Sequence, residues 1–537
     1  MEKRTLLALT ISFLVLGSYS MILRHFYPNY GVHQAKTLES SRPQETAKIE
    51  NLSKQPVFSK EKDKEFKNDN LKLLFSEATG GIREVSFPGF VDSDTKAPLK
   101  IFSESAGDFS ATSVTLGFEG RKKEETPVDF KITTSSDQVV QVLGVENGIK
   151  ITKQYTFEHS KYYADMKINF QNISQAPVNF DYTLAIGPSF PPRHSIDGQY
   201  IEANFYYKVD GKAELRHIKE TKLGKTVSSR GPVDWAAAKD RHFSVILKPK
   251  TDGALFTGFV RGLGNHKFGA ALNSGKISLA PGASLGHDFV LYLGPNELEE
   301  LEPVGLDPIV NFGKLDMIGR VLVGALEMLH KVFRNYGLSI IALTTFINLL
   351  LFPLTRVSYL SMKRMQLVQP QMNKLRDQHK KNPEKLNKEM MELYKKHKVN
   401  PFGGCLPMVL QMPVFIALYV ALSKSVILIN SKLLWIKDLS SPDSLSLPFR
   451  LPVLGNEIHV LPLVMVAGMF LQQKFTQIKM EGQDPAVESQ QKMMATMMPV
   501  MFGFIFYAMP SGLVLYWLTN TIIMTSYQLY LKNITLT

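Results

Sequence analysis

The chain has 537 residues, 62 Lys and Arg against 49 Asp and Glu, a formal net charge of +13, and one cysteine, Cys405. That length holds two or three domains, the charge suits nucleic acid, an anionic membrane surface or the cytoplasmic loops of a membrane protein, and the lone thiol excludes an intramolecular disulfide. Mean hydropathy near zero conceals a division: residues 28–310 are polar with short apolar runs, whereas 336–531 carry several long apolar runs.

The N-terminus reads MEKRTLLALTISFLVLGSYSMILRHF. Lys3 and Arg4 precede an uncharged run from Thr5 to Leu23 that is long enough to cross a hydrocarbon core and carries no convincing small-residue cleavage site. This predicts an uncleaved signal-anchor helix over 1–27 with its start in the cytoplasm. Residues 28–58, rich in Ser, Gln, Glu, Lys and Pro, predict a flexible linker. Over 59–310, segments such as QVVQVLGV (138–145), IKITKQYTF (149–157) and YYADMKINFQNIS (162–174) alternate, and turn signals such as Glu146-Asn147-Gly148 bound them. The pattern predicts an all-β sandwich. In 311–335, Leu315, Ile318, Leu322, Leu326, Leu329 and Phe333 recur at three and four. That is an amphipathic helix, lying either in the membrane interface or on the β domain.

Five apolar segments follow, at about 337–354, 406–422, 458–471, 493–509 and 513–531, and predict an α-helical membrane domain over 336–531. The loop 356–400 holds 12 Lys and Arg against 4 Asp and Glu, whereas 430–456 holds only Lys432, Lys437 and Arg450. The charge rule puts 356–400 in the cytoplasm. Counting spans then places the β domain outside, and both the N-terminus and the short tail, 532–537, inside. Within the basic loop, Asn382-Pro383-Glu384 is a helix start, with apolar faces at Met365, Met372 and Leu375 and at Leu386, Met390 and Leu393. This predicts a helical hairpin. Its charge is a solvated surface or a docking site for ribosomal RNA or anionic lipid.

The spans carry no Asp, Glu, Lys or Arg, which disfavours an ion-coupled transporter and an intramembrane enzyme. No metal-ligand spacing appears. Gly224-Lys225-Thr226 has Lys219 where a phosphate loop needs glycine, so no nucleotide, metal or other cofactor is expected, and no catalytic residue. What the membrane segments do hold is neutral polarity: Thr344, Asn348, Gln411, Thr519 and Asn520. Such residues either tie helices together or line a shared hydrated cavity. Pro407, Pro413, Pro462 and Pro499 add carbonyls that protein or water must satisfy.

The stretches KVNPFGGCLPMVLQMPVFIALY (398–419), SIIALTTFINLLLFPLT (339–355) and MPSGLVLYW (509–517) closely resemble the signature of the YidC membrane protein insertase family. The loop pattern MQLVQPQMNKLRDQ…EMMELYKKHKVNP does so too, and the match runs through roughly 310–531 in unbroken order. The anchor and the large β domain resemble the Gram-negative form, whose periplasmic β-sandwich is mutarotase-like; SEATGGIREVSFPGF (76–90) looks like its start. The resemblance implies a protein of the inner membrane that inserts and folds nascent membrane proteins, alone or beside the Sec translocon, without nucleotide or DNA. It implies a hydrophilic groove open to the cytoplasm and to the lipid bilayer, lined here by Thr344, Asn348, Gln411, Thr519 and Asn520, with Tyr516 and Trp517 as aromatic sliding contacts. In the hairpin it implies that Lys363, Arg364, Lys374, Arg376, Lys380 and Lys381 meet substrate or ribosome.

This chain departs from the family at one telling position. Five residues before the proline of FPLT, where the family usually has an arginine, stands Asn348. An amide can hydrate a groove but exerts no Coulomb pull on an acidic substrate tail. The reading from another class is a membrane-anchored periplasmic module that binds carbohydrate or peptide; a polar channel is a further alternative.

Overall fold

The computed structural model describes residues 63–532 apart from 93–95, 102–109, 119–129, 189, 191–196, 220–223, 251–254, 265–266, 380–381, 398–405, 452–454 and 477–484. The expected anchor helix and linker, Lys380, Lys381 and most of the tail lie outside the described residues.

The hairpin Val139–Glu146 and Ile149–Phe157 shows how the sequence writes the sheet. Alternate residues Val140, Val142, Ile149, Ile151, Tyr155 and Phe157 are buried, and the strands pair from Glu146↔Ile149 outward. Asn147 and Gly148, at φ 46° and 79°, take the two left-handed positions that a type I′ turn requires. This hairpin belongs to a nine-stranded antiparallel sheet. Its order is Lys212–Ile218, Glu202–Val209, Trp235–Lys239, Phe243–Pro249, Ser284–Pro295, Tyr163–Asn172, Ile149–Phe157, Val139–Glu146, Lys131–Ser136.

A second sheet runs Thr226–Pro232, Thr257–Gly264, Lys267–Asn273, Val178–Pro188, Ile277–Leu279, with Val114–Phe118 also on Val178–Pro188. The two sheets face each other across one apolar core. The rings of Phe170 and Tyr182 meet with centroids 4.5 Å apart, and a Cβ on Gly258 would strike the Phe205 ring at 2.7 Å. A four-stranded sheet, from Asp63–Lys67 to Pro98–Lys100, closes one side through Phe66 on Phe157 and Phe75 on Tyr155.

The helical region opens with α1, Asp316–Phe333. Gly319, Leu322, Val323 and Leu326 turn inward, whereas Met317, Val321, Met328 and Val332 are exposed. Arg334, at φ 53°, ends it, and Asn335 caps the next helix through its side-chain oxygen, 3.0 Å from the Leu338 amide. Helix α2 runs from Tyr336 to Gln378, through Pro353 and Pro370. One helix thus carries both the first apolar segment, 337–354, and the first arm of the basic hairpin. Residues 338–402 contain no glycine, and the first complete stop-and-start signal is Asn382-Pro383. Helix α3, Pro383–Lys396, begins there, with Asn382 accepting from the Lys385 amide at 3.1 Å. It folds back on α2 through Val368 and Met372 against Met390, Leu393 and Tyr394.

Four more helices follow: α4 Leu406–Lys424, α5 Val460–Thr476, α6 Pro485–Tyr507 and α7 Ser511–Lys532. Helix α7 packs along α2 and α5, α5 against α6, and α1 against α2 and α4. Among the described residues one segment, Tyr336–Met365, is long and apolar enough to cross a membrane by length and composition, with mean hydropathy 2.0. Gln411–Lys424, Val460–Phe475 and Ala495–Tyr507 are shorter apolar helices. In α7 the residues Thr519, Asn520, Thr521, Thr525, Ser526 and Gln528 interrupt the apolar run.

Candidate functional site

Of the five neutral polar residues predicted to line a groove, Thr344, Asn348, Gln411 and Thr519 are buried and Asn520 half-buried, and the structure divides them into three kinds. On α2, Thr344 and Asn348 are each 1 % exposed. They bond back to their own helix: Thr344 Oγ1 donates to the Ile340 carbonyl at 2.6 Å, and Asn348 Nδ2 donates to the Thr344 carbonyl at 2.9 Å. Four-residue back-bonding of this sort satisfies a polar side chain without a partner helix.

Between α4 and α7 the amide of Gln411 donates to the hydroxyl of the fully buried Tyr516. Beside that bond, Trp517 sits among aromatic rings, with centroids 4.9 Å from Phe415, 5.1 Å from Phe502 and 5.3 Å from Phe506. Thr519 is buried, and Asn520 Oδ1 is buried with no hydrogen-bond partner among the described residues. An unsatisfied buried carbonyl of this kind costs about 1–3 kcal/mol. It leaves α7 with an unused hydrogen-bond acceptor inside the bundle. The structure thus joins Gln411 with Tyr516 and leaves Thr344 and Asn348 bonded within α2.

In the hairpin, Arg364 and Lys374 are exposed, Lys363 and Arg376 half-buried. Two cross-helix contacts hold its arms: His379 Nε2 to Glu389 Oε2 at 2.9 Å, and His397 Nε2 to Gln371 Oε1 at 3.2 Å.

A joint between the β domain and the helices has no local sequence pattern. Its centre is Arg241, in the turn between the strands Trp235–Lys239 and Phe243–Pro249, with its side chain 1 % exposed. The guanidinium donates to the carbonyls of Ser423, at the end of α4, and Ser440, the latter at 3.2 Å. It also lies 3.5 Å from Asp197 and over the Tyr200 ring. Beside it Lys239 donates to the Ile309 carbonyl at 3.1 Å and pairs with Glu202 at 3.5 Å, while His217 reaches Glu202 at 3.1 Å. Burial alone would raise the Glu202 carboxyl. The His217 hydrogen bond and the Lys239 charge outweigh it and hold the group at about 2. Apolar packing completes the joint: Trp235, Ile309 and Phe312 share one cluster with Val323 of α1 and Ala421 of α4.

A large β domain joined through buried contacts to a bundle of apolar helices, whose internal polarity is neutral, defines an integral membrane protein with an extramembranous domain. Two family models match nearly the whole described chain: "YidC periplasmic domain" over 64–325 and "60Kd inner membrane protein" over 328–536. The membrane protein insertase YidC of Syntrophus aciditrophicus is 31 % identical, over 99 % of this chain and all of that protein. That of Cupriavidus taiwanensis is 36 % identical over 73 % of this chain and 68 % of its own. The chain belongs to the YidC family of membrane protein insertases, inner-membrane proteins with a periplasmic domain.

A crystal structure of an active YidC insertase aligns over 89 % of this chain and 95 % of its own, at 19 % identity and TM-score 0.37. A galactose mutarotase related enzyme from Lactobacillus acidophilus aligns over 43 % of this chain and 97 % of its own, at 10 % identity and TM-score 0.31.

Proposed function

We propose that this protein inserts and folds other proteins of the inner membrane, alone or beside the Sec translocon, through a polar path between α2, α4 and α7. Helices α2, α4, α5, α6 and α7 act as five spans, with a sixth at the N-terminus. The hairpin α2–α3 and both termini face the cytoplasm, and the β domain faces the periplasm. The observation that carries this reading is the pair of family matches that together run from 64 to 536.

The physical work is a shortened polar crossing. A translocating substrate segment loses water on entering lipid, and each unsatisfied backbone group there costs several kcal/mol. The free carbonyl of Asn520, the Gln411–Tyr516 pair and, after rotation from their own helix, Asn348 and Thr344 offer replacement hydrogen bonds. Apolar substrate segments leave along the half-buried Trp517 and Phe502, driven by burial worth about 25 cal/mol per Å². No step needs a nucleotide. The basic hairpin, with Arg364 and Lys374 exposed, receives the nascent chain and the ribosome.

Because position 348 is a neutral amide, this path exerts no Coulomb pull on an acidic tail. A photocrosslinker at position 348, in membranes engaged by ribosomes carrying a stalled short membrane protein, tests the path. A crosslink to the nascent chain that is lost with Gln411→Leu supports it. Intact insertion with no crosslink moves the path elsewhere.

A further inference from the structure

The loop between α4 and α5 carries a tip that the insertion path does not use. Its sequence is Lys432-Leu433-Leu434-Trp435-Ile436-Lys437. Leu433 and Ile436 exchange both backbone hydrogen bonds, at 3.0 and 2.9 Å, so Leu434 and Trp435 form the two-residue end of a tiny hairpin. The flanking pair points inward: Ile436 is 2 % exposed, and Leu433 packs into the helical core. The tip points outward, with Leu434 85 % and Trp435 40 % exposed.

Two features separate this tip from an ordinary surface turn. Leu434 sits at φ 53°, a left-handed position that hairpin ends normally give to Gly, Asn or Asp. A polar or glycine residue would be easier there, yet the chain spends that conformation on displaying an apolar side chain. Trp435 is also held. Its Nε1–H donates to Asp443 Oδ2 at 3.2 Å, and that carboxylate oxygen accepts from the amides of Val460 and Leu461, at 2.8 and 2.9 Å, at the start of α5. The indole is therefore presented with its polar edge satisfied and part of its ring uncovered.

The height of the tip is fixed by its neighbours. Asn335, the cap of α2, donates from Nδ2 to the Lys432 carbonyl at 3.0 Å, and a Cβ on Gly337 would meet Leu433 at 2.7 Å. The tip thus lies level with the first turns of α2 and α5, where both helices enter the apolar layer on the reading of spans given above, on which this inference rests. Tryptophan at that depth and lysine flanking it are the side chains that anchor proteins in the headgroup region. We propose that Leu434 and Trp435 insert into the outer leaflet of the bilayer while Lys432 and Lys437 meet anionic lipid headgroups. This pins the outer ends of α2 and α5 at a set depth.

The test uses the full chain in vesicles of phosphatidylethanolamine and phosphatidylglycerol that contain phosphatidylcholine brominated either near the headgroup or near the chain end. Trp435 is made the only tryptophan by Trp235→Phe and Trp517→Phe; a second chain keeps only Trp517. Expected is quenching of Trp435 by the shallow bromines in preference to the deep ones, and its loss with Leu434→Asn, a residue that suits the left-handed turn and keeps the fold. Trp435 unquenched while Trp517 is quenched overturns the anchor and leaves the spans standing. Neither quenched overturns both. Quenching of Trp435 unchanged by Leu434→Asn overturns the two-residue tip.

Discussion

Arg241→Met removes the guanidinium that bonds the β domain to both Ser423 and Ser440 of the helical region. A hydrogen bond from a charged donor nets about 1.5–3 kcal/mol, and truncating one member of a buried charged pair costs about 3–5 kcal/mol. One guanidinium makes all these contacts, so the figures overlap rather than add. The expected loss is about 3–5 kcal/mol in the joint, because two buried carbonyls lose their donor and the Asp197 carboxylate loses the cation 3.5 Å from it. Methionine keeps most of the volume, so cavity terms stay small. The assay is denaturant unfolding of the full chain in micelles, in a background carrying Trp435→Phe and Trp517→Phe so that fluorescence reports Trp235, which lies in the joint's apolar cluster. The variant is expected to show a lower midpoint and an earlier Trp235 transition, separated from the loss of helix. Arg241→Lys keeps the charge without the planar fork and should fall between. A variant within about 0.5 kcal/mol of the parent, with one cooperative transition, would refute the joint as a stabilising element.

Three further outcomes follow from the same geometry. Glu202 sits at about 2 in the folded state against an ordinary 4.5, so its contribution is complete above pH 4.5 and disappears as pH falls through 2. That is about 3 kcal/mol of acid-sensitive stability, and Glu202→Gln should flatten the stability profile between pH 5 and 2, as seen by acid titration of the Trp235 signal. Gln411→Leu and Tyr516→Phe break one buried hydrogen bond from either side. A double-mutant cycle on unfolding should return a coupling of about 0.6–2 kcal/mol, and a coupling of zero would remove the α4–α7 tie. Asn348→Arg should raise insertion of a substrate with an acidic tail relative to the same substrate with a neutral tail. An unchanged ratio would detach position 348 from the charge preference of the path.

The sheet and the helices are written in local patterns, and they could be read there. Period-two burial and an Asn-Gly turn declare the hairpin 139–157, and Asn382-Pro383 declares α3. Even Lys153 is legible in retrospect. The series Ile149, Ile151, Lys153, Tyr155, Phe157 sets it on the inward face, where its ammonium is fully buried against the Gly80 and Thr112 carbonyls. Two things were not legible. Pro353 and Pro370 lie inside α2 without ending it, because a glycine-free helix with packed flanks absorbs one missing donor at each, so the length of α2 could not be read from its prolines. And Lys239-Asp240-Arg241-His242 reads as an ordinary charged turn. Only the distance in sequence between Arg241 and Ser423, closed by the fold, makes it a buried joint. For the site, the sequence identifies the neutral polar residues by type, but not that Asn348 spends its amide on the Thr344 carbonyl while Asn520 keeps a free oxygen.

The most direct test of the central claim is reconstitution. The full-length chain alone is placed in proteoliposomes, a short ribosome-synthesised membrane protein is supplied, and insertion is scored by protease protection without added nucleotide once synthesis has stopped. The account predicts protected substrate with the chain present, reduced when Gln411 and Asn520 are both changed to Leu. Equal protection in liposomes lacking the chain, or none with it, would contradict an insertase that works through a polar path of its own.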